Sequence, residues 1–248
     1  KEIFVVGHGP SSSHTMGPGF ACEYILNKYK NIKKVEVTLY GSLALTGKGH
    51  LTDYICKLKL KDVEHKVSFD TKKEWEHPNT MVFKVTLDND EVIEEKVVSI
   101  GGGTIVTGEG INTVSREVYP EKNLREILKY CQKNKISLAD YVLQHEDPDI
   151  IQYLSNVYNV MEAARLRGIE AKGELPGPLH VRRKARKMFF NMRRTKNGIH
   201  NIYMNVAITS FAVAEENAAG GLVVTAPTCG SCGVLPSVLK YYGEKYQK

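Results

Sequence analysis

The chain has 248 residues, 42% of them hydrophobic and 25% charged, with a formal net charge of +6. That length buries a real core and suits about two domains, the composition is that of a globular protein, and no run of ~18 apolar residues offers a membrane span. The opening KEIFVVGHG turns polar too quickly for a signal peptide. Five cysteines without a secretion signal point to reduced thiols in the cytoplasm rather than a disulfide framework.

Taken in chain order, EIFVV (2–6) is a short apolar run. GFACEYILNKY (19–29) has helical spacing, and KKVEVTLYGSLA (33–44) alternates like a strand. TMVFKVTLDND (80–90) and EVIEEKVVSIGGG (91–103) predict two strands around an Asn-Asp turn. From NLREILKYCQKNKISLADYV (123–142) onward the pattern is helical. DIIQYLSNVYNVMEAARLRGI (149–169) predicts a long amphipathic helix stopped near Gly168. AKGELPGPL (171–179) is a Gly/Pro break, followed by helices around 181–194 and 200–217, a Gly-rich stretch and a final helix. No repeat or low-complexity tract interrupts this order. The change of period near 118–123 places a domain boundary there. The expected fold class is α+β, an N-terminal α/β domain (1–120) followed by a mainly helical one (121–248).

Three Gly-flanked polar clusters fall in the first domain: GPSSSHTMGP (9–18), YGSLALTGKGHLTD (40–53) and SIGGGT (99–104). Glycines let backbone approach a ligand, and successive N–H groups beside hydroxyls form an anion nest suited to a carboxylate or phosphate. A single Gly/Ser turn carries little information; three in one domain, each beside an element end, carry more. His14 and His50 lie in two of these clusters, where a near-neutral pKa suits proton transfer. His8, His65, His145 and His200 lack such a setting and read as surface residues, while Pro78 and Asn79 give His77 an ordered turn. In the second domain, AEENAAGGLVVTAPTCGSCGVLP (214–236) carries Asn217, Thr228 and a C-x-x-C, Cys229 and Cys232. No second C-x-x-C or His pair completes a zinc site. The basic stretch HVRRKARKMFFNMRR (180–194) could touch nucleic acid, but a solvated helix face or an anionic-metabolite site is the simpler reading.

GPSSSHTMGP, YGSLALTGKGHLTD, SIGGGT, ELPGPLHVRRKA and EENAAGGLVVTAPTCGSCGVLP, in that order from residue 9 to 236, resemble the landmarks of the iron–sulfur-dependent bacterial L-serine dehydratases (L-serine ammonia-lyases). The resemblance implies a β domain joined to a helical α domain and conversion of L-serine to pyruvate and ammonia without pyridoxal phosphate. Its cofactor is a [4Fe–4S] cluster, whose open iron binds the serine carboxylate and hydroxyl as a Lewis acid while a base removes the Cα proton. It implies His14 and His50 as catalytic residues, and Ser11, Ser12, Ser13, Thr15, Lys48, Asn217 and Thr228 as substrate-binding residues. Cys229 and Cys232 match the motif itself and not the family's usual cluster ligands. Those ligands are expected beyond Lys248, in a longer protein of which this chain is a piece. The segment after Asp53 is also short against the family pattern. The expected setting is a cytoplasmic homodimer acting on L-serine, with no nucleic acid and no membrane as partner.

The alternative is a non-catalytic module that binds a small acid, since the first domain also resembles the allosteric substrate-binding domain of some phosphoglycerate dehydrogenases. The EENAAGG…APTCGSCG motif separates the two, because a regulatory module has no use for it.

Overall fold

The computed structural model describes residues 3–111, 117–194 and 198–246, without the side chains of 198–201. Its fold class is α+β. The sheet-bearing half begins with β1 (Val6–His8), a π-helical turn (Ser12–Met16) and α1 (Gly17–Lys28). These are followed by β2 (Ile32–Tyr40), α2 (Gly41–Thr46), α3 (Thr52–Lys59) and β3 (Glu64–Asp70). Four further strands complete the sheet: β4 (Thr80–Leu87), β5 (Val92–Gly101), β6 (Thr104–Thr107) and β7 (Gly110–Ile111).

The six strands are ordered β3-β2-β4-β5-β6-β7, with β2 and β3 parallel and the other pairs antiparallel. A parallel pair needs a crossover, and α2 and α3 supply it. Alternation in β2 sends Val35, Val37 and Leu39 to one face, where they pack with Met81, Phe83, Val85 and Val97 beneath Ala21, Cys22 and Ile25 of α1 and Ile55 and Cys56 of α3. The β4–β5 hairpin turns at Asn89-Asp90 as the sequence predicts, with Asp90 at positive φ.

Several expectations are corrected. The strand expected to run to residue 44 ends at Tyr40, because Gly41 turns the chain at a φ of +52°, and a Cβ there would lie 2.5 Å from Pro78 O. Residues 41–46 are therefore helix, so part of the second polar cluster is helical and not loop. The periodicity missed α3 and β3 altogether. The apolar run at 2–6 leads into the paired segment Val6–His8, which joins β8 (Leu222–Val224) antiparallel, Val6 opposite Val224 and His8 opposite Leu222.

The helical half contains α4 (Leu124–Asn134), α5 (Leu138–His145), α6 (Ile150–Glu170), α7 (Ala185–Met192), α8 (Gly198–Ala218) and α9 (Val234–Tyr246). The helical pattern that begins at 123–142 forms two helices there, α4 and α5. Lys135 takes a left-handed conformation, and Ser137 with Asp140 forms a capping box that starts α5. Gly168 does not stop α6. It lies inside the helix, where a Cβ would sit 2.1 Å from Ala212 O, so its role is the close approach of α6 to α8. The two halves share cores. Met16 packs with Ala164, Val213, Val223, Cys229 and Cys232, and Phe4 and Val6 pack on Val157, Met161 and Val224.

Candidate active site

The first polar cluster wraps into a compact turn. The Ser11 side chain accepts from His14 N–H at 3.1 Å and caps the π-helical segment. Ser11 N–H donates to Thr15 Oγ1 at 3.2 Å, and Ser11 and Ser13 hydroxyls lie 3.4 Å apart. Thr15 and Met16 are buried; Ser11 to His14 are half-buried and line the surface.

The two loop histidines meet. Their ring centroids are 4.7 Å apart with the planes inclined by 36°. His14 is held at both nitrogens, Nδ1 by Ser13 Oγ at 2.9 Å and Nε2 by Ser42 Oγ at 2.8 Å. Burial, and after it the neighbouring His50, lowers the His14 pKa below its ordinary 6.5. His50 Nδ1 donates to Thr46 O at 3.0 Å, which fixes the tautomer and leaves Nε2 as its other ring position. Ser42 is the residue that reading by motif passed over. The signal for it was its place just after Gly41, inside the second Gly-flanked cluster.

The third cluster lies behind the first. The glycines of SIGGGT turn β5 into β6, and a Cβ on Gly17, just past the first cluster, would sit 2.1 Å from Ser99 Oγ. Asn79 ties that region together: its side chain donates to Ser99 O, its N–H donates to His77 Nδ1, and Ser42 N–H donates to Pro78 O. His77 is thus in the ordered turn expected of it.

From the other end of the chain comes Asn217. Its Nδ2 donates to Pro10 O at 3.3 Å, Gly9 N–H donates to Gly221 O at 3.1 Å, and a Cβ on Gly9 would lie 2.1 Å from Asn217 Oδ1. Beside it, Glu216 is gripped by Arg183 at 3.0 Å and Arg167 at 3.1 Å, while Glu215 accepts from the N–H groups of Lys184 and Ala185. The ELPGPLHVRRKA and EENAAGG motifs are therefore bound to one another. Several cations of the basic stretch are engaged within the chain: Arg183 on Glu216, Arg186 over Phe190, Arg193 over Phe189 and Lys184 over Phe211.

Other expected residues lie differently. Lys48 is exposed, its ammonium 5.8 Å above the Phe69 ring. Thr228 is exposed, with its hydroxyl on Ser231 Oγ at 3.1 Å. Cys229 and Cys232 are buried, Cys229 Sγ lying 4.0 Å from Met16 Sδ. Burial pushes the Cys229 thiol up to about 12, with help from Cys232, and that of Cys232 up to about 11. His8, His65 and His145 are bonded within the chain. Each is half-buried, and its Nδ1 donates to a backbone carbonyl, of Gly220, Val63 and Tyr141 respectively. The His200 side chain lies outside the described residues. Among those residues no helix is long and apolar enough to cross a membrane.

Comparison with known proteins gives two matching family models, the serine dehydratase beta chain over residues 1–71 and the serine dehydratase alpha chain over residues 61–248. L-serine dehydratase 1 of Escherichia coli is 36% identical over 97% of this chain and 65% of its own length. L-serine dehydratase of Haemophilus influenzae is 34% identical over 99% and 66%, and that of Streptomyces coelicolor 30% identical over 97% and 65%. The chain thus spans about 65% of the length of the relatives it matches.

Proposed function

Because this chain belongs to the serine dehydratase family, we propose that it serves an L-serine ammonia-lyase, which dehydrates and deaminates L-serine to pyruvate and ammonia. The observation that carries this reading is a convergence. Two imidazoles from separate segments meet, and the hydroxyl-rich turn that carries one of them is braced at Pro10 by Asn217, more than two hundred residues away in sequence.

In this reading Ser11, Ser12 and Ser13, with the backbone of their turn, hold the serine carboxylate, and Lys48 supplies a cation at the rim. Asn217 and Thr228 belong to the opposite wall. His14, whose pKa burial lowers, and His50 handle the proton taken from Cα. Loss of that proton and of the β-hydroxyl leaves aminoacrylate, which tautomerises to the imine and hydrolyses to pyruvate and ammonia. The two-part organisation, 1–120 and 121–248, belongs to the proposal. The six-stranded sheet precedes that boundary and α4–α9 follow it, with β1 reaching across to β8. A cytoplasmic setting belongs to it as well, and the unpaired cysteines favour it.

The family resemblance brings a [4Fe–4S] cluster, which would supply Lewis-acid activation of the leaving hydroxyl. The described residues do not fit as its ligand set. Among them no group of three or more His, Cys, Asp or Glu could hold a metal ion, and Cys229 lies against Met16 with Cys232 in the same buried apolar cluster. We therefore propose that the cluster's ligands are residues other than these.

The test is pyruvate and ammonia release from L-serine by the full-length protein, prepared without oxygen. His14→Ala and His50→Ala should each lower kcat/KM by about 10²-fold or more, the scale of a lost acid–base group. His145→Ala should change it little. Parental turnover in both loop variants overturns the catalytic reading.

A further inference from the structure

The two histidine-bearing segments are joined by a reciprocal pair of hydrogen bonds. Thr15, next to His14, donates through Oγ1 to the backbone carbonyl of His50 at 2.6 Å. Thr52, two residues past His50, donates through Oγ1 to the backbone carbonyl of His14 at 2.6 Å. Both threonines are fully buried. Thr15 Oγ1 also accepts from Ser11 N–H, so the same hydroxyl bonds to the cap residue of the turn and to the other histidine's backbone.

The surrounding backbone bonds are local to each segment. The chain from Gly47 to Thr52 is a tight coil: His50 N–H is shared between Thr46 O and Gly47 O, Leu51 takes a φ of +57°, and Thr52 N–H returns to Gly47 O at 2.8 Å. The π-helical turn on the other side has its own closed set of bonds, with Thr15 N–H and Met16 N–H both on Ser11 O. Each segment sets its own shape, and the ties between them are the two threonine hydroxyls and the His14–Ser42 bond. The His14 ring reaches the other segment through Ser42 Oγ at 2.8 Å, and the His50 ring bonds within its own at Thr46 O, so the 4.7 Å between rings depends on how the two segments sit against each other.

We propose that Thr15 and Thr52 are positioning residues, whose crossed hydroxyl-to-carbonyl bonds hold the His14 and His50 rings at their working separation. Both hydroxyls donate to backbone carbonyls. Thr15 and Thr52 act through the histidine backbones, and their effect on rate comes from alignment. The proposal rests on the reading of His14 and His50 as the proton-handling pair, yet one of its readouts does not depend on turnover.

The experiment compares Thr52→Val, which keeps the shape and loses the hydroxyl, with Thr52→Ser, which keeps the hydroxyl and loses the methyl. Both are made in the full-length protein with ¹³C-labelled histidine, and the His14 resonance is identified by its loss in His14→Ala. Thr52→Val should lower kcat/KM by about 10²-fold, the scale of an ångström-sized misplacement, with the loss in kcat and not in KM. It should also raise the His14 titration midpoint, because a ring released from its neighbour is less buried and farther from His50. Thr52→Ser should recover most of both effects. Where Thr52→Val is too unstable to titrate, Thr52→Ala takes its place against the same serine variant. A parental His14 midpoint in Thr52→Val overturns the proposal, as does a Thr52→Ser variant that falls as far as the valine. If His14→Ala itself turns over serine like the parent, the catalytic reading fails, and the positioning is then judged on the His14 midpoint alone.

Discussion

Replacing Gly9 by alanine tests whether the first and last motifs of the chain are one structure. A Cβ at residue 9 would sit 2.1 Å from Asn217 Oδ1 and 2.4 Å from Asn217 O, far inside the ~3.5 Å optimum for non-bonded heavy atoms. The amide could rotate away by giving up its bond to Pro10 O. The carbonyl, at the end of α8, could not. Relief therefore requires the turn and the helix end to part, which also loses Gly9 N–H to Gly221 O. Two hydrogen bonds at roughly 1 kcal/mol each and an overpacking strain of about 1–3 kcal/mol outweigh the ~0.4–1 kcal/mol that alanine gains by restricting the unfolded chain. The net expectation is a destabilisation of about 2–4 kcal/mol, or roughly 5–15 °C in Tm for a chain of this size. Thermal unfolding of Gly9→Ala is compared with that of Gly108→Ala, whose Cβ would meet no atom within 4 Å and which should melt close to the parent. If Gly9→Ala melts within a degree of the parent, the close packing of residue 9 on Asn217, and the bracing argument built on it, is wrong.

Further outcomes follow from the titrations and the packing. His14 has a folded pKa below its unfolded value of about 6.5. Between those two values the unfolded chain binds more protons, so stability is lost as pH falls through that window and is level below it. Urea unfolding at several pH values should show this slope in the parent and not in His14→Gln; equal slopes would refute it. The Cys229 and Cys232 thiols, pushed up to about 12 and about 11, should resist iodoacetamide at pH 7.5 in the folded protein and react once it is unfolded. Rapid native labelling at either would contradict their burial. Cys229→Ser and Cys232→Ser should each keep iron and sulfide near the parental content after anaerobic reconstitution of the full-length protein. Loss of the cluster in either variant would make this chain a ligand donor.

What the sequence alone determined was local. Alternation through Val35, Val37 and Leu39 and an Asn-Asp turn specify β2 and the β4–β5 hairpin, because side chains two apart share a face and turn residues act over four positions. The apolar periodicity of 149–169 likewise specifies α6, since residues three and four apart share a helix face. The five motifs also pointed to the serine dehydratases and to the two histidines before any contact was known. Tertiary structure decided which groups meet. Ser42 on His14, Thr52 on the His14 carbonyl, Asn217 on Pro10 and Met16 on Cys229 join residues from 28 to 213 apart. No local rule reaches that far. These pairs exist because apolar faces on α1, α3, α6 and α8 must be buried against the sheet and against one another, and that burial carries the polar loops at their ends into register. It also decided where local patterns misled. Strand alternation runs past Tyr40 in the sequence, but the contact of Gly41 with Pro78 turns the chain there and swings Ser42 onto His14.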